Sequence, residues 1–169
     1  MNLLVITILL IVVILLIWLF ARTRTTTQNQ NQVDWNRYIG TWYEIARLPT
    51  PFENGCRNAT AQYSLNNDNN VSIVNKCEID GKIIEARGVG KIISGNSLSV
   101  KFDNTPAGQN YIVLFVDPDY QTALVGSNNK NYLWILARSQ TINQRTLQKL
   151  LQLAQRLGYD TNKLIINRN

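Results

Sequence analysis

The side chains able to do chemistry in this chain are eleven carboxylates, seven tyrosines and two cysteines, and there is no histidine at all. Lack of imidazole removes the commonest general base and a common metal ligand. No strained serine turn, zinc-ligand spacing or phosphate-cradling glycine loop stands in for it. The residue types therefore predict a protein that is not an enzyme and needs no cofactor or metal. Two features still deserve a chemical account. Cys56 and Cys77 fall near the ends of one predicted hairpin, where an even pair reads as a disulfide made in an oxidising compartment, the alternative being two free buried thiols. Glu44 falls on a predicted strand, and a carboxylate turned into a protein interior has a raised pKa unless a buried donor meets it; a donor is the expectation.

The elements that must position these groups begin after an apolar segment. Leu3 to Phe20 is uncharged and interrupted only by Thr7. As a helix it would span about 27 Å, close to the hydrocarbon thickness of a bilayer. Residues 1–21 are expected to form a transmembrane anchor, or a signal segment left uncleaved, because Trp18-Leu19-Phe20-Ala21 is poor cleavage chemistry. Residues 22–33 are a polar, aperiodic linker with a reach of about 40 Å, and residues 34–169 form the folded domain. Arg22 and Arg24 alone would hold that domain in the cytoplasm, whereas a Cys56–Cys77 bridge needs the extracytoplasmic or lumenal side. The cysteines decide the expectation: a single-pass signal-anchored protein with its domain outside the cytoplasm.

From Val33 onward, short alternating runs recur every 8 to 12 residues, the rhythm of an antiparallel sandwich or barrel. Eight strands are predicted: Thr41 to Leu48, Asn58 to Leu65, Val71 to Cys77, Lys82 to Ile93, Ser97 to Phe102, Asn110 to Val116, Gln121 to Gly126 and Tyr132 to Arg138. The Asn, Asp, Gly and Pro clusters between them make tight turns, so sequential strands pair as up-and-down neighbours. Gly88 and Gly90 inside the fourth strand predict the bulges and bends of a closed barrel rather than a sandwich. Thr141 and Gln144 then fit a capping box, and Leu147, Leu150, Leu151, Ala154 and Leu157 recur at helical spacing up to Gly158. That helix must bury its apolar face on the barrel's outer wall. Lys163 to Ile166 reads as an edge strand.

Three segments resemble the lipocalin family, specifically its bacterial and apolipoprotein D-like members: Asp34 to Arg47 with its Gly40-Thr41-Trp42, Asp117-Pro118-Asp119-Tyr120 running into Val125, and Tyr132 to Arg138. They occur in family order and spacing. The resemblance implies an all-β fold, an eight-stranded antiparallel up-and-down calyx with one outer helix. It also implies that Trp42 fills the closed end, with Arg138 packed across it by a cation–π contact. Gly40 would allow close backbone approach beside them. The bacterial members carry an acylated N-terminal cysteine that this chain lacks, and the Cys56–Cys77 pair occurs in only part of the family.

Strand alternation then nominates the cavity wall. With Trp42 inward, Glu44 and Ala46 face inward too; with Arg138 inward, so do Trp134 and Tyr132. In the sixth strand, Tyr111, Val113 and Phe115 are preferred over Ile112, Leu114 and Val116, because this leaves aliphatics for the helix. Tyr63 and Ala61 join from the second strand. An apolar hollow with a few hydroxyls suits a small hydrophobic molecule such as a fatty acid or lysophospholipid, carried or stored near a membrane. The net charge of +6 is scattered without a basic stripe, so nucleic acid is not an expected partner. A dimer is left open. Two other functions fit the same scaffold, a lipid-modifying enzyme and a barrel that serves as a protein-interaction module.

Overall fold

The computed structural model describes residues 32–66, 68, 70–103 and 108–167. The expected membrane anchor and all but the last two residues of the linker lie outside these. Among the described residues no helix is long and apolar enough to cross a membrane.

Alternating apolar residues produce the strands β1 (Gly40–Arg47), β2 (Arg57–Leu65), β3 (Val71–Ile79), β4 (Lys82–Ser94), β5 (Ser97–Phe102), β6 (Gln109–Val116), β7 (Thr122–Gly126) and β8 (Leu133–Ala137). Each pairs antiparallel with the next, and β1 pairs with both β8 and β2, so the sheet closes on itself. Closure pairs β1 with β8, the two strands that an open sheet in this order would leave as edges able to template aggregation. Past Tyr43, the flank of β1 that paired with β2 is taken up by β9 (Ile165–Ile166), which meets Ala46 and Arg47.

Antiparallel alternation puts the loops at two ends. The β2–β3, β4–β5 and β6–β7 turns share one end with helix α1 (Trp35–Tyr38), which Asp34 caps by accepting from the Asn36 amide at 3.0 Å. Val33 is tied across this floor to the Gly95 carbonyl at 2.8 Å. The other end, the mouth, carries the long β1–β2 connection and the β3–β4, β5–β6 and β7–β8 links.

Two apolar clusters separate inside from outside. The interior one includes Trp42, Tyr63, Ile73, Leu98, Val113, Val125 and Leu136. The other packs Leu147, Leu150 and Ala154 of helix α2 (Gln144–Arg156) on Leu124, Leu133, Ile135 and Ala137 of the outer wall. The cap of α2 differs from the expected one. Asn143, not Thr141, accepts from the Thr146 amide at 2.8 Å; both residue types cap well, and the chain enters the helix two residues later. Gly158 at φ +86° then ends it.

Irregular pairing also differs from expectation. The β3–β4 register runs without interruption through Gly88 and Gly90. Gly88 serves close approach instead, because a Cβ there would stand 2.7 Å from the Lys101 carbonyl oxygen. Register shifts occur elsewhere, including between Glu44 and Ala46 in β1 and between Val113 and Phe115 in β6. A bulge inserts one residue and reverses the inward–outward parity beyond it, which determines the lining of the barrel.

Candidate ligand-binding site

The floor is built first. Trp42 is fully buried, and its indole N–H donates to the Tyr38 carbonyl at 2.8 Å. Arg138 lies across it with the guanidinium carbon 3.9 Å from the ring centre. Gly40 makes room for this contact: it adopts φ +100°, and a Cβ there would sit 3.1 Å from Arg138 Nη1. In the neighbouring floor loop, the Asp117 carboxylate accepts from the backbone amides of Asp119, Gln121 and Thr122 and from the Thr122 hydroxyl. Tyr120 follows Asp117 in a left-handed turn at φ +58°. Its hydroxyl accepts from the Asp34 amide at 2.9 Å, and Arg37 stacks 4.2 Å from its ring centre.

Above the floor, three tyrosine hydroxyls converge. Tyr38 and Tyr111 share a hydrogen bond of 2.7 Å, and Tyr63 donates to Tyr111 at 3.0 Å. Burial pushes Tyr63 up to about 12 and holds Tyr38 and Tyr111 well above the usual phenol value, so all three are neutral.

Towards the mouth sits a buried charge cluster. Arg47 Nη1 donates to Glu44 Oε1 at 3.0 Å and Nη2 to the Glu53 carbonyl at 2.7 Å, while its Nε stands 3.5 Å from Glu53 Oε2. The Trp134 indole donates to the same Glu53 oxygen at 3.2 Å. Asn167 completes the set, donating to Glu44 Oε1 at 2.9 Å. Burial, with the Glu53 carboxylate close by, pushes Glu44 up to about 7 against the pull of Arg47 and Asn167. The buried donor expected for Glu44 is therefore Arg47.

Of the residues nominated from alternation, Tyr63, Tyr111, Val113 and Trp134 belong to the interior cluster or pack against it. Tyr132 stacks on Trp134 at 5.8 Å and meets Phe52 at 5.6 Å, a ring group at the mouth. Glu44 stands opposite Leu136, itself an interior residue. Ala46 and Phe115 are corrected. The bulge in β1 sets Ala46 against Ile135, and the bulge in β6 sets Phe115 against Leu124, so both pack in the outer cluster under α2. The same parity change brings Val116 to the interior and sets Arg47 opposite Trp134.

Sequence reasoning also passed over Tyr38 and Glu53. Tyr38 is one helical turn before Trp42, a spacing that could have placed both on the floor. Glu53 lies in the mouth loop, where no periodicity points to a role. Its loop is anchored by a disulfide: Cys56 and Cys77 are bonded, with Cα atoms 5.4 Å apart, and pack with Ala59. Among the described residues no cluster of His, Cys, Asp and Glu could hold a metal ion.

A family model of the lipocalin-like domain matches residues 33–169. Lipocalin R877 of Acanthamoeba polyphaga mimivirus is 43% identical over 144 residues, covering 80% of this chain and 84% of the relative. The outer membrane lipoprotein Blc of Vibrio cholerae is 37% identical over 136 residues, covering 77% of this chain and 79% of the relative. Among solved structures, lobster apocrustacyanin A1 superimposes with a TM-score of 0.67 at 19% identity, over 79% of this chain and 78% of that one, a likeness of fold alone.

Proposed function

The chain belongs to the lipocalin family, a family that binds small hydrophobic ligands, and from that premise we propose that it holds such a ligand in its calyx while tethered to a membrane. The observation that carries this reading is the accessibility of the inner wall. Ala61, Phe102, Tyr111 and Trp134 face into a closed sheet and pack against the interior cluster, yet each remains only partly buried. Inward residues that keep accessible area border open space, and an apolar space of this kind takes an apolar guest. Each methylene buried there contributes about 0.8 kcal/mol, so a chain of a dozen carbons offsets the ordering cost of binding.

Retention in the hollow needs no bond-making group. Glu44, the one inward acid that sequence alternation offered to catalysis, is engaged by Arg47 and Asn167. The uncharged Leu3 to Phe20 run supplies the tether in this reading, as an anchor in place of the acyl group of a lipoprotein. The Cys56–Cys77 bond favours an oxidising, extracytoplasmic or lumenal side for the barrel. Titration of the full chain, held in an amphipathic polymer, with a C12 to C16 acyl ligand and with a lysophospholipid tests the proposal. A saturable change in tryptophan emission that disappears in Trp134→Phe is expected; a linear, non-saturating response from both ligands contradicts it.

A further inference from the structure

The interior is not uniformly apolar, and its polar groups do not balance one another. Three tyrosine hydroxyls carry three protons, but the cluster contains two hydrogen bonds. Tyr63 spends its proton on Tyr111, and the Tyr38–Tyr111 pair spends one more. One O–H, on Tyr38 or Tyr111, is left with no acceptor in the cluster. Nearby is the opposite deficiency: Asn75 Oδ1 is buried and accepts no hydrogen bond.

Register puts the two on one patch. Tyr63 stands opposite Ile73, and Ala61 opposite Asn75, so Tyr63 and Asn75 are diagonal neighbours on the inner face, about 7–8 Å apart along the backbone. Asn75 is flanked across both ladders by alanines, Ala61 and Ala86, whose side chains offer its amide no hydrogen bond. An uncommitted buried donor and acceptor each cost free energy until something pairs with them.

The chemistry of the two gaps narrows what that partner is. A carboxylate could accept from the spare O–H but has no proton to give to Asn75 Oδ1. A hydroxyl is both donor and acceptor and carries no charge.

Resting on the carrier reading above, we propose that the Tyr38–Tyr63–Tyr111 cluster with Asn75 is a deep subsite for the neutral, hydroxyl-bearing end of a long apolar ligand. The ligand enters oxygen end first, and its hydrocarbon extends past Trp134 towards the mouth.

The test compares 1-dodecanol, methyl dodecyl ether and dodecanoate, titrated at pH 8 against the full chain in amphipathic polymer. The alcohol should bind about tenfold more tightly than the carboxylate, the effect of one buried hydrogen bond left unmade. The triple variant Tyr38→Phe, Tyr63→Phe, Tyr111→Phe, which leaves no O–H in the cluster, should weaken both alcohol and ether, whereas Asn75→Ala should weaken the alcohol and spare the ether, which has no proton to give. Equal or tighter binding of dodecanoate to the unaltered chain overturns the subsite and leaves the carrier reading standing. So does an alcohol preference untouched by both variants, the result expected if internal water already satisfies these groups. Failure of all three ligands to bind overturns both readings. The comparison on the unaltered chain holds even where a variant does not fold.

Discussion

Arg138 and Trp42 form a single unit at the floor of the barrel. The guanidinium lies 3.9 Å from the indole centre, and its nitrogens donate to five carbonyls, those of Arg37, Tyr38, Ile39, Thr41 and Tyr120. One side chain thereby satisfies the C-terminal end of helix α1, the start of β1 and the β6–β7 loop, groups that no ladder reaches.

Removing this cation should cost more than a surface charge does. Arg138→Leu is expected to destabilise the fold by about 2–4 kcal/mol, from the lost cation–π contact and the carbonyls left without donors. Arg138→Lys should recover only part of this, because an ammonium cannot reproduce the planar fork. Urea unfolding of the three proteins, monitored by circular dichroism, measures the order.

Stability should fall with pH across the window set by Glu44. Its pKa rises from the ordinary 4.5 to about 7 in the folded chain, so between those values the folded state keeps a proton that the unfolded chain has released. The contribution is full below the lower value and is lost as pH rises through the upper one. Glu44→Gln removes that dependence. Relative to the unaltered chain, its unfolding free energy should gain about 1–3 kcal/mol from roughly pH 5 to 8, read from denaturation midpoints at each pH.

Reduction should act on the mouth. The Cys56–Cys77 bond spans 21 residues, a loop whose closure is worth about 3 kcal/mol in the chain-entropy account. Cys56→Ala with Cys77→Ala is expected to lose about that much while keeping the sheet spectrum. Amide exchange should rise most in the β1–β2 connection, which carries Glu53 to Arg47.

A methyl group at Gly88 should be resisted by the neighbouring strand. A Cβ there meets the Lys101 carbonyl oxygen at 2.7 Å and the Phe102 ring at 2.9 Å. Gly88→Ala is therefore expected to cost about 1–3 kcal/mol through forced separation of β4 from β5, seen as a lowered thermal midpoint.

Much of this architecture was legible before any coordinates. Alternation and Asn, Asp, Gly and Pro turns mark the eight strands to within two residues at each end, and the change to helical period marks α2. The three family-like segments led to Trp42, Gly40 and Arg138 together. The lining was less legible for one physical reason: a bulge changes parity, and neither bulge has a residue that announces it. Ile45 and Leu114, where the ladders shift, are ordinary strand formers, whereas the glycines that drew attention, Gly88 and Gly90, lie in unbroken register. Counting by twos through Ile45 led to Ala46 and missed Arg47; counting through Leu114 led to Phe115 and missed Val116. The tyrosine cluster was half visible, because Tyr63 and Tyr111 alternate inward while Tyr38 comes from a helix that no strand period reaches.

The most direct test of the central claim is to fill the hollow. Ala86 shares the inner face of β4 with Gly88, Gly90 and Ile92 and is nonetheless exposed, so a larger side chain fits there without displacing its neighbours. The full chain should take up one equivalent of a saturating dodecyl ligand, and Ala86→Trp, with an unchanged thermal midpoint, should take up none. Undiminished one-to-one binding by Ala86→Trp would put the ligand outside the barrel and contradict the account.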